Sequence, residues 1–169
     1  MMIELNDDNS VSNYFKSARL GINSIATLFD RHEKEIPVYD EHVQLADLVS
    51  NPEAVLPVYT LTGNIFKRGE LYIYMKDNSL LPAWDKHDLI LLKSVDQAVL
   101  VAGDKYYFVL EDKRELAGVL THDETHFIIT PDNEEYDKEW LKPSAVLKMY
   151  KIMGGLKKEE ALREREKKG

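Results

Sequence analysis

The chain has 169 residues, of which 44% are hydrophobic and 31% charged, and its formal net charge is −8. This composition is typical of a globular protein that buries its own core, and the absence of cysteine excludes disulfides, thiolate zinc sites and a cysteine nucleophile. The acidic balance argues against a surface that binds nucleic acid through its phosphates. The start has no signal-peptide pattern, and no apolar run reaches the roughly 18 residues of a membrane span. We therefore expect a cytoplasmic protein without membrane contact.

Residues 1–35 are predicted to form a helical N-terminal arm. Ser10 or Ser12 can cap it, and apolar residues follow with helical spacing at Phe15, Ala18, Ile22, Ile25 and Leu28. Gly21 weakens the middle of this pattern, so the segment holds one helix or two short ones. One or two helices are too few for a helix-turn-helix DNA-binding domain.

Residues 36–154 are predicted to form a β domain. Short runs rich in Tyr, Val, Ile, Phe and Thr alternate with turn residues, as in "LYIYMK", "DLILLKSV", "KYYFVLED", "THFIITPD" and "SAVLKMYKIMG". Pro37 favours an extended start at "IPVYD". The pattern predicts a mainly β fold of short, mostly antiparallel strands.

Residues 155–169, "GLKKEEALREREKKG", are predicted to form a charged helical tail. From Leu156 onward they carry six Lys or Arg against four Glu, with Leu156, Ala161 and Leu162 as the apolar residues. Such a composition is typical of a helix exposed to solvent, and docking on a partner or on nucleic acid is the alternative.

Residues 71–93, "LYIYMKDNSLLPAWDKHDLILLK", place Ser79 between two predicted strands and three residues before Pro82. Asp88 starts the second strand, and "AGDKYYFV", "TPDNEEY" and "VLKMYKIMG" follow in order. This succession resembles the LexA/UmuD-type domain, which phage repressors also contain and whose fold is related to that of signal peptidases. In that family a Gly-Asp-Ser-Met-x-Pro motif carries the nucleophile. The resemblance covers about 120 residues and implies that Ser79 occupies the nucleophile position.

The resemblance also implies a missing general base. A serine hydroxyl needs a partner to take its proton, and this family uses a neutral lysine in an apolar pocket. Aligned on the stretch "EDKRELAGVL", the lysine position holds Ala117 and the following arginine position holds Gly118. Lys76, Lys86 and Lys113 are other lysines near Ser79 or Ala117 in sequence. Lys113 precedes Ala117 by four residues, on the order of 13 Å along a strand, which argues against its substitution for the base.

Two further motifs differ from the family pattern. Self-cleaving members offer Ala-Gly or Cys-Gly after the "IPVYD" segment, whereas this chain has Leu45, Ala46 and Asp47 around the expected bond. Asp77 and Asn78 replace the Gly-Asp before the serine. The side chains of Asn78, Pro82 and Trp84 are expected to line the cleft around Ser79.

Neither a metal nor a cofactor is predicted. His122 and His126 stand in "THDETHF", which is typical of a solvated hairpin turn rather than of a metal site. The paired tyrosines at 72, 74, 106 and 107 could stack on bases, but packing is the better interpretation on an acidic chain. The sequence has no Gly-rich phosphate loop.

By resemblance, the leading hypothesis is a non-catalytic dimerisation or regulatory module linked to transcriptional regulation. It would form a homodimer through the C-terminal strands and bind DNA only indirectly or through a DNA-binding domain absent from this sequence. One alternative is an active self-cleaving serine peptidase that uses Ser79. Another is an accessory protein that, like UmuD, docks on a protein partner.

Overall fold

The computed structural model describes residues 34–63 and 68–168, so nearly all of the predicted N-terminal arm lies outside the described residues. The strands are β1 Lys34–Val38, β2 Tyr59–Gly63, β3 Leu71–Tyr74, β4 Leu89–Val95, β5 Lys105–Leu110, β6 Glu115–His122, β7 Phe127–Thr130, β8 Glu139–Leu141 and β9 Val146–Leu156. The helices are α1 Leu45–Ser50 and α2 Lys158–Lys168, and 3₁₀ turns cover Pro52–Ala54, Gln97–Val99 and Pro143–Ala145.

The nine strands form one sheet in the order β2-β1-β3-β4-β9-β5-β6-β7-β8. All neighbours pair antiparallel except β1 and β3, which are parallel with Val38 opposite Tyr72. The predicted mainly β, mostly antiparallel fold is therefore confirmed. The C-terminal strand β9 lies in the middle of the sheet, between β4 and β5.

The central strands are apolar on both faces because both faces of the sheet are covered. Strand β4 begins with four consecutive buried residues, Leu89 to Leu92, and in β5 all residues after Lys105 are buried. One core cluster includes Ile90, Leu92, Tyr107 and Tyr150 and packs against α1. Two further clusters lie around Phe108 and Met149 and around Leu89 and Leu91. Continuous apolar runs are expected of strands that have no solvent face.

Helix α2 confirms the predicted C-terminal helix, but it is not fully exposed to solvent. Ala161 is buried in the cluster that contains Ile36, Leu61 and Leu89, whereas Leu162 is 57% exposed. The Arg165 guanidinium lies 4.9 Å from the centre of the Tyr59 ring, a cation–π distance. Strand β9 runs to Leu156, two residues into the segment predicted as the tail.

Asp88 joins α2 to the start of β4. Its carboxylate accepts hydrogen bonds from the backbone N–H groups of Asp85 and Lys158, at 2.7 and 2.9 Å, and from Lys157 Nζ at 3.2 Å. An acceptor at the first residue of a helix satisfies one of the backbone N–H groups that the helix leaves unpaired. Among the described residues, no helix has the length and apolar character needed to cross a membrane.

Candidate functional site

The segment that carries Ser79 connects β3 to β4 and is clamped by the segment that follows β7. Asn133 donates from its backbone N–H to the Ser79 carbonyl at 3.0 Å and from its side-chain amide to the Asn78 carbonyl at 3.0 Å. Tyr136 accepts from the Asn78 N–H at 3.2 Å. The two quoted stretches "DNSLLP" and "TPDNEEY" are thus in direct contact, although 55 residues separate Asn78 from Asn133.

Ser79 itself is buried, with 5% of its surface exposed. Its backbone N–H donates to the Asp77 carboxylate at 2.9 Å. Its hydroxyl has no hydrogen-bond partner within the described residues. A buried polar group without a partner is uncommon in folded proteins, and it calls for a water, a ligand or a role in chemistry.

Two cavities meet at Ser79. The first has a volume of about 200 Å³ and the second of about 220 Å³. Asp77, Ser79 and Ala117 line both cavities. The structure therefore brings together Ser79 and Ala117, the two positions that the resemblance assigns to the nucleophile and the missing base.

The lysines near the first cavity are bonded to carboxylates. Lys76 Nζ lies 2.8 Å from Glu115 Oε2 and donates to the Val43 carbonyl at 2.6 Å. Lys113 also lines this cavity, and its Nζ lies 3.1 Å from Asp47 Oδ1 in an exposed pair. An ammonium that donates to a carboxylate has no lone pair with which to accept the proton of a serine hydroxyl. Lys86 lines neither cavity.

Glu115 is the centre of a buried polar network beside the first cavity. Its side chain is 7% exposed and accepts from Lys76, from the Tyr107 hydroxyl at 2.7 Å and from the Leu45 N–H at 3.0 Å. Burial, reinforced by the neighbouring Glu115 carboxylate, raises the pKa of Tyr107 well above its usual value. Tyr107 therefore remains a hydrogen-bond donor to Glu115.

The three residues at the expected cleavage bond lie in the first turn of α1. Leu45 and Ala46 are buried at 1% and 4% exposure, and Asp47 pairs with Lys113 on the surface. Gln44, just before the helix, lines the first cavity. The expected bond next to Ala46 thus follows shortly after a residue of the first cavity, but it is helical and packed into the core.

The residues expected to line the cleft have different surroundings. Asn78 holds the Ser79 segment through its bonds to Tyr136 and Asn133 and through one from the Lys86 N–H to its side-chain oxygen at 2.9 Å. Pro82 is exposed. The Trp84 ring lies over Gly155 of β9, where an added Cβ would meet it at 3.0 Å, and 5.0 Å from Lys157 Nζ. None of the three lines either cavity within the described part of the chain.

The segment with His122 and His126 forms the turn between β6 and β7. Asp123 Oδ1 accepts from the backbone N–H groups of Thr125 and His126 at 2.8 and 2.7 Å. These hydrogen bonds lower the pKa of the Asp123 carboxyl. They are the ones that an Asp-initiated turn makes.

Sequence reasoning identified Ser79 and Ala117 but missed Glu115 and Tyr107. Period-two spacing places Glu115 and Ala117 on the same face of β6. Once Ala117 was assigned to the site, this spacing could have predicted that Glu115 lies beside it. The hydrogen bond of Asp77 to the Ser79 N–H could not be read from spacing, because it depends on the local turn.

The backbone at Ser79 is unfavourable for oxyanion stabilisation. Backbone N–H groups beside a nucleophile commonly stabilise the oxyanion of the transition state. Here the Ser79 N–H donates to Asp77, and the negative charge of that carboxylate would repel an oxyanion. Models of known protein families gave no match to this chain, and a search of curated proteins likewise found none.

Proposed function

We propose that the chain is a non-catalytic member of the LexA/UmuD-type domains and acts as a homodimeric regulatory module linked to transcription. The observation that carries the proposal is the pairing of Ser79 with Ala117 in cavities that contain no unpaired lysine among the described residues. On the resemblance, Ser79 takes the nucleophile's position, and no lysine among the described residues is placed to act as its base.

The resemblance gains support from contacts between its motifs. Asn133 and Tyr136 hold the backbone next to Ser79, and the cleavage-like residues of α1 adjoin the first cavity through Gln44. In a self-cleaving peptidase the target bond must reach the nucleophile, and Gln44 lies just before the expected bond. The link to transcription rests on the resemblance alone.

The dimer is proposed with one restriction on its geometry. Strand β9 pairs with β5 between Val146 and Lys151 and with β4 between Met149 and Leu156, so residues 149–151 have no free backbone edge for a second copy. Contact through this middle part of the C-terminal strand would therefore use side chains. Light scattering should give a mass twice that of the 19.5 kDa chain, and a monomer would refute the dimeric part of the proposal.

The lack of catalysis is tested by intact mass. Wild-type protein and Ser79→Ala are incubated for days at neutral and at alkaline pH, because alkaline conditions favour a neutral lysine. We expect unchanged mass in every sample. A cut near Ala46 that disappears in Ser79→Ala would instead establish a self-cleaving peptidase.

A further inference from the structure

The second cavity beside Ser79 combines apolar walls with unpaired acid groups. Leu116, Ala117, Ile129 and Pro131 supply the walls, and Asp77 and Asp137 supply carboxylates. Neither carboxylate has an ion pair within the described residues, whereas the third acid of the lining, Glu139, is held by Arg114 at 3.0 Å. No lysine or arginine lines this cavity within the described residues.

The Ser79 hydroxyl is an independent sign that the cavity takes a ligand. It is buried, it lines the cavity and it has no partner in the part of the chain that the structure describes. A hydroxyl offers one donor and two acceptor positions. Left without any partner, it would carry the cost of a desolvated polar group.

The lining selects for a particular chemistry. Asp77 and Asp137 disfavour an anion, and the apolar walls suit a short chain of methylene groups. An ammonium group has three donors and no acceptor, so it can donate to the Ser79 hydroxyl and to the Asp77 carboxylate together. A volume of about 220 Å³ exceeds the roughly 30 Å³ that one water occupies in the liquid and accommodates a chain of a few carbons.

We propose that this cavity binds a primary alkylammonium group, as found in a free aliphatic amine or a lysine side chain. The inference rests on the proposed function, because it requires that no lysine of the chain itself fills the space at Ala117. Ala117 is buried at 4% exposure and lines both cavities, so a longer side chain there would occupy the volume that the ligand needs.

The test is a titration with n-butylammonium chloride, followed by the amide NMR shifts of Ser79, Ala117 and Ile129. We expect saturable shifts with a Kd on the order of 1 mM, which is reasonable for so small a ligand. Two analogues serve as controls, the uncharged 1-butanol and the anion of sodium butyrate. Each should bind at least about tenfold more weakly than butylammonium, because neither can form a charged hydrogen bond to the carboxylates. Equal responses to all three compounds, or no saturable shift, would overturn the proposal.

Two variants localise the binding. Ala117→Leu fills the space beside Ser79 and should abolish the shifts. Asp77→Asn keeps an acceptor for the Ser79 N–H but removes the charge, and should weaken binding about tenfold, which keeps the test decisive if the leucine variant does not fold. Glu124→Gln removes an exposed carboxylate in the β6–β7 turn and is the matched control, with unchanged affinity. Full binding by both cavity variants would refute the assignment.

A last arm distinguishes the source of the ammonium group. A short peptide with one lysine and blocked termini is compared with butylammonium, and its norleucine analogue serves as the control. Tighter binding of the lysine peptide would identify a protein partner, and binding of butylammonium alone would identify a free amine. The proposed function is tested separately by mass, so a failed titration overturns only this inference.

Discussion

Ser79 and Asp88 lie nine residues apart in the same connection between β3 and β4, and both are buried, at 5% and 1% exposure. Their surroundings differ. The Asp88 carboxylate accepts three hydrogen bonds, two from backbone N–H groups and one from Lys157, whereas the Ser79 hydroxyl has no partner among the described residues. Buried polar groups are normally satisfied, so Asp88 is explained by the fold and Ser79 is not.

The comparison separates a structural role from a ligand-binding one. Asp88 fixes the start of β4 to the start of α2 and so closes the sheet against its C-terminal helix. Ser79 is held in place through its backbone by Asp77 and Asn133, which leaves the hydroxyl free to face the cavities. Four predictions, on Asp88, Glu115 and Ser79, test this division.

The largest effect is expected for Asp88→Ala. The change leaves the N–H groups of Asp85 and Lys158 without their acceptor and Lys157 without its carboxylate partner. We expect a loss of about 3 kcal/mol in the free energy of unfolding, measured with urea. Asp85→Asn alters an exposed side chain next to it and should change stability by no more than about 0.5 kcal/mol.

The same residue should give a pH dependence. Burial tends to raise the pKa of Asp88, but the hydrogen bonds from Asp85 and Lys158 and the Lys157 ammonium outweigh it and hold the pKa below its usual value. The stabilisation is therefore present above about pH 4, the value for an unfolded chain, and is lost as the pH falls through the lowered value. The difference between wild type and Asp88→Ala should shrink in acid. A constant difference would mean that the ionised carboxylate is not what matters.

A smaller loss is expected for Glu115→Gln, which tests the network beside the first cavity. The amide retains one acceptor but loses the charge that pairs with Lys76, and it cannot satisfy both Tyr107 and Leu45 equally well. We expect a loss of about 2 kcal/mol by urea unfolding.

Glu111→Gln, at an exposed position on the turn after β5, is the matched control and should be neutral within about 0.5 kcal/mol. If the two variants were equally stable, the bonds of Glu115 would contribute nothing net to folding.

Local sequence patterns predict much of this fold, and the long-range contacts are what they miss. The β-rich runs identify the strands, and Asp88 was recognised as a strand start, but its hydrogen bond to Lys158 spans 70 residues. Helix α1 was not predicted, although Leu45, Leu48 and Val49 have helical spacing. Six residues are too few for that spacing to be distinguished from a short strand.

The positions of Ser79 and Ala117 in the candidate site could be predicted from the sequence, whereas contacts that depend on the order of the strands could not. Alignment with the family motif placed Ala117 opposite Ser79, and both line the same cavities. The position of Trp84 over Gly155 depends on the central place of β9 in the sheet, which no local pattern encodes. The burial of Ala161 was missed because α2 is charged over most of its surface, and a single alanine suffices for its close contact with the sheet.

The smallest effect is expected for Ser79→Ala. Its hydroxyl makes no hydrogen bond with the described residues, so its removal leaves no partner unsatisfied, and the free energy of unfolding should fall by no more than about 0.5 kcal/mol. Ser94→Ala is the matched control, because the Ser94 hydroxyl donates to Glu70 at 2.6 Å, and its loss should cost about 1 kcal/mol. A similar cost at Ser79 would mean that its hydroxyl supports the fold. No loss at Ser79 with a cost at Ser94 would show that the buried hydroxyl makes no bond that stabilises the fold.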